Sequence, residues 1–174
     1  MIKKAAALTV CLLLISAPAF ASHQKVHDAN DVDGLLDLRA ATVYGAPRIW
    51  NLKTYNSWTP KAIRDKGFLL VYYGTFGDER YDYYALLRST GNRMQGTLWR
   101  DRVSKSDYRV SYLETWRSDK RSVKVRVPLG RMRFGTNRDS YKWYAQTLIT
   151  GPSCKRTCFD RAPNRKGVTE PLGG

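Results

Sequence analysis

The clearest alternation of apolar and polar residues lies between Ser122 and Leu129. Every second residue there is Val or Leu, whereas Lys124 and Arg126 fall between them. Successive residues of a β-strand face opposite sides of a sheet. The pattern therefore predicts a strand with one buried face and one positively charged face, which Pro128 confines to the edge or the end of a sheet.

Seven other segments have strand character and are separated by turn residues such as Gly, Pro and Asn. They are 35–43, 48–54, 67–73, 80–88, 93–100, 108–116 and 141–149. One short helix is predicted at 59–67, because Thr59 can cap its start, Pro60 suits its first turn and Gly67 suits its exit. This spacing favours an all-β fold, a single-domain antiparallel β-sandwich of jelly-roll-like type with one short helix.

The first 21 residues have the character of a signal peptide. Lys3 and Lys4 precede an apolar run, and Ala19-Phe20-Ala21 provides a cleavage site. We expect a secreted, extracellular protein that begins at Ser22, with a retained membrane anchor as the alternative. The mature chain then comprises an acidic N-terminal segment, 22–34, and a β-sandwich domain, 35–174.

The chain is strongly basic. It has 30 Lys and Arg against 15 Asp and Glu, a net charge of +15 that falls to +13 without residues 1–21. An excess of this size attracts anionic cell-surface polymers, lipid headgroups or nucleic acid. The alternative is that the charge only keeps a secreted protein soluble.

Two cysteines remain after the predicted cleavage. Cys11 leaves with the signal peptide, and Cys154 and Cys158 are separated by only three residues. An isolated pair in an exported protein predicts one disulfide that closes a small C-terminal loop.

Several motifs resemble a family of short, uncharacterised secreted bacterial proteins with a C-terminal CxxxCFDxAP motif. They are Asp31-Val-Asp33-Gly-Leu-Leu-Asp37-Leu, Trp58-Thr-Pro-Lys-Ala, Tyr141-Lys-Trp143 and Cys154-x3-Cys158-Phe-Asp160-x-Ala-Pro163. The order of elements also resembles the DOMON and family-nine carbohydrate-binding-module type of sandwich. That second resemblance implies a non-catalytic binding module, sometimes with a structural calcium near the chain ends.

The acidic segment offers hard oxygen ligands suited to calcium. The spacing is not that of an EF-hand, so ligands from elsewhere are required. Because the termini of a domain often lie close together, Asp160 is the candidate partner of Asp31 and Asp33. The alternative is an ordinary solvated acidic segment that binds no metal, in a protein that has no cofactor.

Aromatic residues are abundant, with 5 Trp, 11 Tyr and 5 Phe. This number is sufficient for both a hydrophobic core and a ligand-binding surface. Alternation within strands assigns Trp50, Trp99, Trp116 and Trp143 to the core. A second set lies at the ends of elements and could stack on sugar rings. Its members are Tyr55, Trp58, Tyr81 and Tyr84. Core packing is the competing interpretation of these four residues too.

Catalysis has little support. His23 and His27 are the only histidines and lie outside the predicted domain, so a Ser-His or Cys-His arrangement has no base. Glu114 is the most interesting acid, because it shares a predicted face with Tyr112 and Trp116. Its competing role is an ion pair with an arginine.

A secreted, non-catalytic binding or envelope-associated protein is the function we expect. Its partner would be an anionic cell-surface polymer or a carbohydrate, with a cationic patch formed by Arg109, Lys124 and Arg126. One alternative is a secreted polysaccharide hydrolase that uses Glu114. Another is a cationic protein acting on membranes or nucleic acid, but nucleic acid is not favoured because no recognisable binding module is present.

Overall fold

A computed structural model describes residues 23–45, 47–135, 139–151 and 154–172. The predicted signal peptide lies outside the described residues. The strands are β1 (Gln24–His27), β2 (Leu38–Tyr44), β3 (Ile49–Thr54), β4 (Gly67–Gly74), β5 (Tyr83–Ser89), β6 (Met94–Arg100), β7 (Tyr108–Asp119), β8 (Ser122–Arg126), β9 (Ser140–Gly151), β10 (Cys154–Ala162) and β11 (Val168–Pro171).

Two helical segments accompany the strands. Helix α1 spans Pro60–Ile63, and the side chain of Thr59 caps it by accepting a hydrogen bond from the Ala62 amide, as predicted. A 3₁₀ turn spans Leu129–Arg131. Among the described residues, neither of these short helical segments could cross a bilayer.

The strands pair antiparallel throughout, in the order β1-β2-β3-β8-β7-β6-β5-β4-β9-β10, and β11 also pairs with β9. Strand β7 joins two sheets, because its first half pairs with β6 and its second half pairs with β8. Sheet I contains β1, β2, β3, β8 and the second half of β7. Sheet II contains the first half of β7 and the remaining strands. The predicted all-β antiparallel sandwich with one short α-helix is confirmed.

The core lies between the inner faces of the two sheets. Trp50 of sheet I meets Tyr73 of sheet II edge to face, with ring centroids 5.1 Å apart, and meets Trp143 at 6.5 Å. All three side chains are fully buried, as are Val123 and Val125 of β8. Edge-to-face aromatic pairs contribute about 0.5–1.5 kcal/mol beyond the burial of their surface. The inner face of the strand at 122–126 is therefore buried as its alternation predicted.

Close packing surrounds the point where β7 passes from one sheet to the other. Gly96 of β6 pairs with Leu113, and a Cβ atom at Gly96 would lie 2.3 Å from Oγ1 of Thr115. Any larger residue at this position would have to displace the side chain of Thr115. The glycine thus lets β6 and β7 approach closely here.

A seam brings the two ends of the long strand order together. Asp160 on β10 accepts a hydrogen bond from the backbone N–H of Leu38 at the start of β2. Nearby, Oγ1 of Thr147 on β9 donates to the carbonyl of Leu36 at 2.6 Å. The residues before β2 are therefore fixed against the C-terminal strands.

Three strands lie where the sequence did not predict them. They are β1, β10 and β11. Strand β1 is short and polar, so it was not recognised within the acidic N-terminal segment. Strand β10 contains the two cysteines of the predicted disulfide loop. Edge strands of this kind need neither a continuous apolar face nor many residues.

Two of the four tryptophans assigned to the core lie elsewhere. Trp99 and Trp116 are half-buried on outward faces, and Tyr112 of the same alternation is exposed. Irregular pairing on either side of β7 explains this, because a bulge shifts which residues face inward. Leu98 and Leu113 occupy the inner positions instead.

The predicted disulfide is present. Cys154 and Cys158 are joined with an S–S distance of 2.05 Å. Both residues lie in β10, and the register of β10 against β9 shifts between Cys154 and Thr157. The bond therefore closes a bulge within a strand and fixes local geometry.

Replacing both cysteines by serine should leave the sandwich folded but less stable. A five-residue ring restricts the unfolded chain little, so the expected loss is about 2 kcal/mol, or roughly 4–8 °C in Tm. Thermal unfolding followed by circular dichroism measures it. A variant that loses its cooperative transition altogether would contradict a local role for the bond.

Candidate anion-binding groove and carboxylate cluster

The outward face of sheet I carries a row of polar side chains across four strands. Register places Lys25 opposite Thr42, Thr42 opposite Asn51, and Asn51 opposite Lys124. The adjacent row brings His27, Ala40 and Lys53 together. These side chains point outward because the alternate residues of the same strands fill the core.

A bulge adds one more cation to this face. The pairing of β2 with β3 shifts between Leu38 and Ala40, which leaves Arg39 exposed while Leu38 and Ala41 are both buried. An extra residue in one strand redirects the neighbouring side chains in this way. The sequence pattern of β2 alone does not reveal it.

These residues line a depression with a volume of about 410 Å³, which we call the basic groove. Its lining consists of His23, Lys25, His27, Arg39, Ala40, Thr42, Tyr44, Asn51, Lys53 and Lys124. It contains four Lys or Arg side chains and no carboxylate. Within the described part of the chain, none of these four forms an ion pair.

Cations on neighbouring strands of the basic groove act together on a ligand, because such strands lie about 4.8 Å apart, which is less than the Debye length of roughly 8 Å at physiological salt. Lys25 and Lys124 are three strand spacings apart and would contact a ligand at separate points. Ala40, Thr42 and the half-buried Asn51 form its floor. Tyr44 contributes less stacking surface, because Nζ of Lys124 lies over its ring at 5.6 Å. The groove can bind anionic groups and offer hydrogen bonds between them.

Of the predicted cationic patch, only Lys124 lies in the basic groove. Arg126 is on the same outward face of β8 but forms an ion pair with Glu114, with 2.5 Å between Nη1 and Oε2. Arg109 lies on the half of β7 that pairs with β6, where its guanidinium covers the ring of Tyr112 at 4.3 Å. The three cations therefore do not form one patch.

Glu114 is 59% exposed, and the structure contains the competing ion pair with an arginine. A general acid needs a protonated carboxyl directed at substrate in a cleft. A solvated carboxylate held by a guanidinium is poorly suited to that role.

The predicted aromatic residues separate into two places. Trp58 is buried, its Nε1 donates to Thr54 at 3.1 Å, and the guanidinium of Arg117 covers its ring at 3.7 Å. The hydroxyl of Tyr55 donates to the carbonyl of Asp28 at 2.8 Å. Both side chains thus have structural contacts near sheet I.

Tyr81 and Tyr84 belong instead to an aromatic ladder on the outward face of sheet II. The ladder runs across Trp99, Tyr84, Tyr72 and Tyr144 on four neighbouring strands. Tyr72 and Tyr144 stack on each other at 4.7 Å, and Arg161 covers Tyr144 at 3.8 Å. Cross-strand stacking of this kind stabilises a sheet and leaves few ring faces open to a sugar.

Four carboxylates gather on the other side of β1 and β2, next to the seam. Asp28, Asp31 and Asp160 offer oxygens that all lie within 4.8 Å of one another. Asp37 lies beside them, because after burial the charge of Asp160 contributes most to raising its pKa. We call these four residues the carboxylate cluster. It contains two members of the predicted calcium trio, Asp31 and Asp160.

Asp33, the third member of that trio, does not belong to the cluster. Its side chain is exposed, and its carbonyl oxygen lies 3.3 Å from Sγ of Cys154. Asp28 takes its place, because the backbone N–H of Asp28 donates to the carbonyl of Arg39 at 3.1 Å and fixes it beside β2. The acidic spacing was visible in the sequence, but the conformation of this segment was not.

Burial and mutual repulsion change the protonation of the cluster. The pKa of Asp37 rises to about 7, first through burial and then through the neighbouring charge of Asp160. Burial is also the largest cause for Asp28, whose pKa rises to about 7 with a further contribution from its contact with Asp160. Close carboxylates with no cation among them resist ionisation in this way.

Comparisons of the chain with protein-family models, with curated proteins and with solved structures find no match. The predicted resemblances are therefore neither supported nor contradicted.

In buffer with a chelator, the protein should become less stable as the pH rises from about 5 to 8. An Asp with a raised pKa stabilises the fold below its unfolded value, near 3.9, and that contribution is lost as the pH passes its folded value of about 7. The double variant Asp28→Asn/Asp37→Asn should lose most of this slope in Tm. Asp33→Asn, a matched change outside the cluster, should retain it, and equal slopes in the wild type and the double variant would contradict the assignment.

Proposed function

We propose that the protein is a secreted, non-catalytic binding protein that recognises an anionic polysaccharide through the basic groove. The observation that carries this proposal is the groove itself, where four cations converge without an ion pair among the described residues. Like charges on neighbouring strands repel one another, and an anionic ligand removes that repulsion.

The shape and lining of the groove favour a polysaccharide over a lipid surface. Thr42 and Asn51 supply hydrogen-bonding groups at the floor, where hydroxyl groups of a sugar would lie. A bilayer is broad, and the groove presents no large apolar side chain for insertion into it. A single strand of nucleic acid would require open aromatic faces, and Lys124 covers the ring of Tyr44, the one tyrosine that lines the groove.

Neutral carbohydrate on the aromatic ladder is supported less well. A cavity of about 280 Å³ is lined by Tyr72, Tyr81 and Tyr144 together with Asp82 and Asp101. The stacking of Tyr72 on Tyr144 removes the ring faces that a sugar would use. The net positive charge also has no role in binding a neutral chain.

Removing two groove cations should weaken binding to a sulfated or carboxylated polysaccharide. In Lys25→Gln/Lys124→Gln the two ends of the row are neutralised. Each exposed ion pair contributes up to about 1 kcal/mol, so a five- to thirty-fold rise in Kd is expected. Affinity chromatography on immobilised anionic polysaccharide over a salt gradient, followed by calorimetry, measures the change.

Lys105→Gln/Lys166→Gln is the matched control, since both lysines are exposed outside the groove. It should bind almost as well as the wild type. An equal loss of affinity in both double variants would show that binding depends only on net charge and would contradict the groove as the binding site. Binding to neutral polysaccharide or to anionic vesicles, with none to the anionic polysaccharide, would reject the proposed ligand.

A further inference from the structure

The carboxylate cluster has no ion-pair partner among the described residues, although the chain is strongly basic. Among the described residues, no ion pair involves Asp28, Asp31, Asp37 or Asp160. The nearest arginine in sequence, Arg161, donates its backbone N–H to Asp160 at 2.6 Å but directs its guanidinium onto Tyr144. The repulsion within the cluster is therefore not relieved by the cations that are abundant elsewhere.

The spacing of the oxygens fits a metal ion. Three carboxylates, two from the segment before β2 and one from β10, place ligand atoms within 4.8 Å of one another. Calcium binds oxygens at about 2.3–2.6 Å, so two ligands on opposite sides of one ion lie roughly 4.6–5.2 Å apart. Oxygen atoms separated by 4.8 Å or less can thus share one such ion without rearrangement of the backbone.

Asp37 provides a second, independent indication. Its side chain is only 1% exposed, and neither of its carboxylate oxygens receives a hydrogen bond from a described group. A buried carboxylate without a partner is costly, and buried charges in proteins are paired or coordinate metals. The charges of Asp160 and Asp31, two members of the trio, add to burial in raising the pKa of the Asp37 carboxyl, which places it next to them.

We propose that Asp28, Asp31 and Asp160, together with the buried Asp37, form a site for a divalent cation of the calcium type. All the ligands are carboxylate oxygens, without sulfur or imidazole, so the site favours calcium or magnesium over zinc. The segment carrying Asp28 and Asp31 is irregular, which suits the flexible coordination of calcium better than the strict octahedron of magnesium.

The site has an opening to solvent. A depression of about 300 Å³ adjoins it and is lined in part by Asp31, Gln146, Asp160 and Asn164. The amide of Asn164 approaches Oδ2 of Asp31 at 3.5 Å. An ion can therefore enter and retain water ligands on this side.

A cation bound at this position would stabilise the seam. Asp160 already holds the Leu38 amide of β2, and Asp28 and Asp31 lie in the segment between β1 and β2. One ion would connect that segment to β10. The proposal does not depend on the polysaccharide ligand, because the basic groove has no residue in common with the cluster.

The test titrates CaCl2 and MgCl2 into chelator-treated protein by calorimetry and follows Tm in parallel. Calcium should bind the wild-type protein with one ion per chain, more tightly than magnesium, and should raise Tm by mass action. Asp31→Asn should weaken calcium binding at least about tenfold. Because Asp31 is exposed, this variant should remain folded in chelator.

Asp33→Asn is the matched control, because Asp33 is exposed in the same segment but outside the cluster. It should bind calcium like the wild type. Absence of both heat and a Tm shift at millimolar calcium would overturn the site, as would equal calcium responses in Asp31→Asn and the wild type. In chelator, Asp31→Asn and the wild-type protein should bind the polysaccharide equally well. Failure of the cation site is therefore distinguishable from failure of the basic groove.

Discussion

The packing of Trp50 against Tyr73 and Trp143 is the interaction on which the rest of the structure depends. It joins the inner faces of the two sheets and determines which residues of β3 are buried. Because side chains alternate along a strand, burial of Trp50 directs Asn51 outward, and the same alternation in β8 directs Lys124 outward. The basic groove is thus the reverse side of the aromatic core. A register slip of one residue in β3 or β8 would place cations in the core. Because burying an unpaired charge is unfavourable, the core fixes the register and with it the positions of the groove cations.

The seam imposes a second constraint. The two ends of the long strand order approach each other at the seam, where Asp160 of β10 accepts a hydrogen bond from the Leu38 amide at the start of β2. This contact places a carboxylate beside the segment that carries Asp28 and Asp31. The acidic segment, which stands out in a basic chain, therefore lies beside the seam, whereas the groove cations lie on the outward face of sheet I. The lining of the groove contains no carboxylate.

The sequence predicted best where the signal was local. The strand at 122–126 and the cap at Thr59 depend only on neighbouring residues, and the disulfide on two cysteines in one short stretch. The groove could not be predicted, because it requires the non-local pairing of β3 with β8 and a bulge that exposes Arg39. The proximity of chain ends was enough to connect Asp160 with the acidic segment. The choice of Asp28 over Asp33 depends on a loop conformation that no periodicity records.

If the outward face of sheet I is the ligand surface, nuclear magnetic resonance will locate the ligand there. Backbone amide shifts of isotope-labelled protein would be followed during titration with an anionic oligosaccharide. We expect the largest changes at Lys25, Thr42 and Lys124, which lie in one row across the sheet with Asn51 between Thr42 and Lys124. Changes centred instead on Tyr144 and the aromatic ladder, or spread evenly over the basic surface, would contradict this ligand surface.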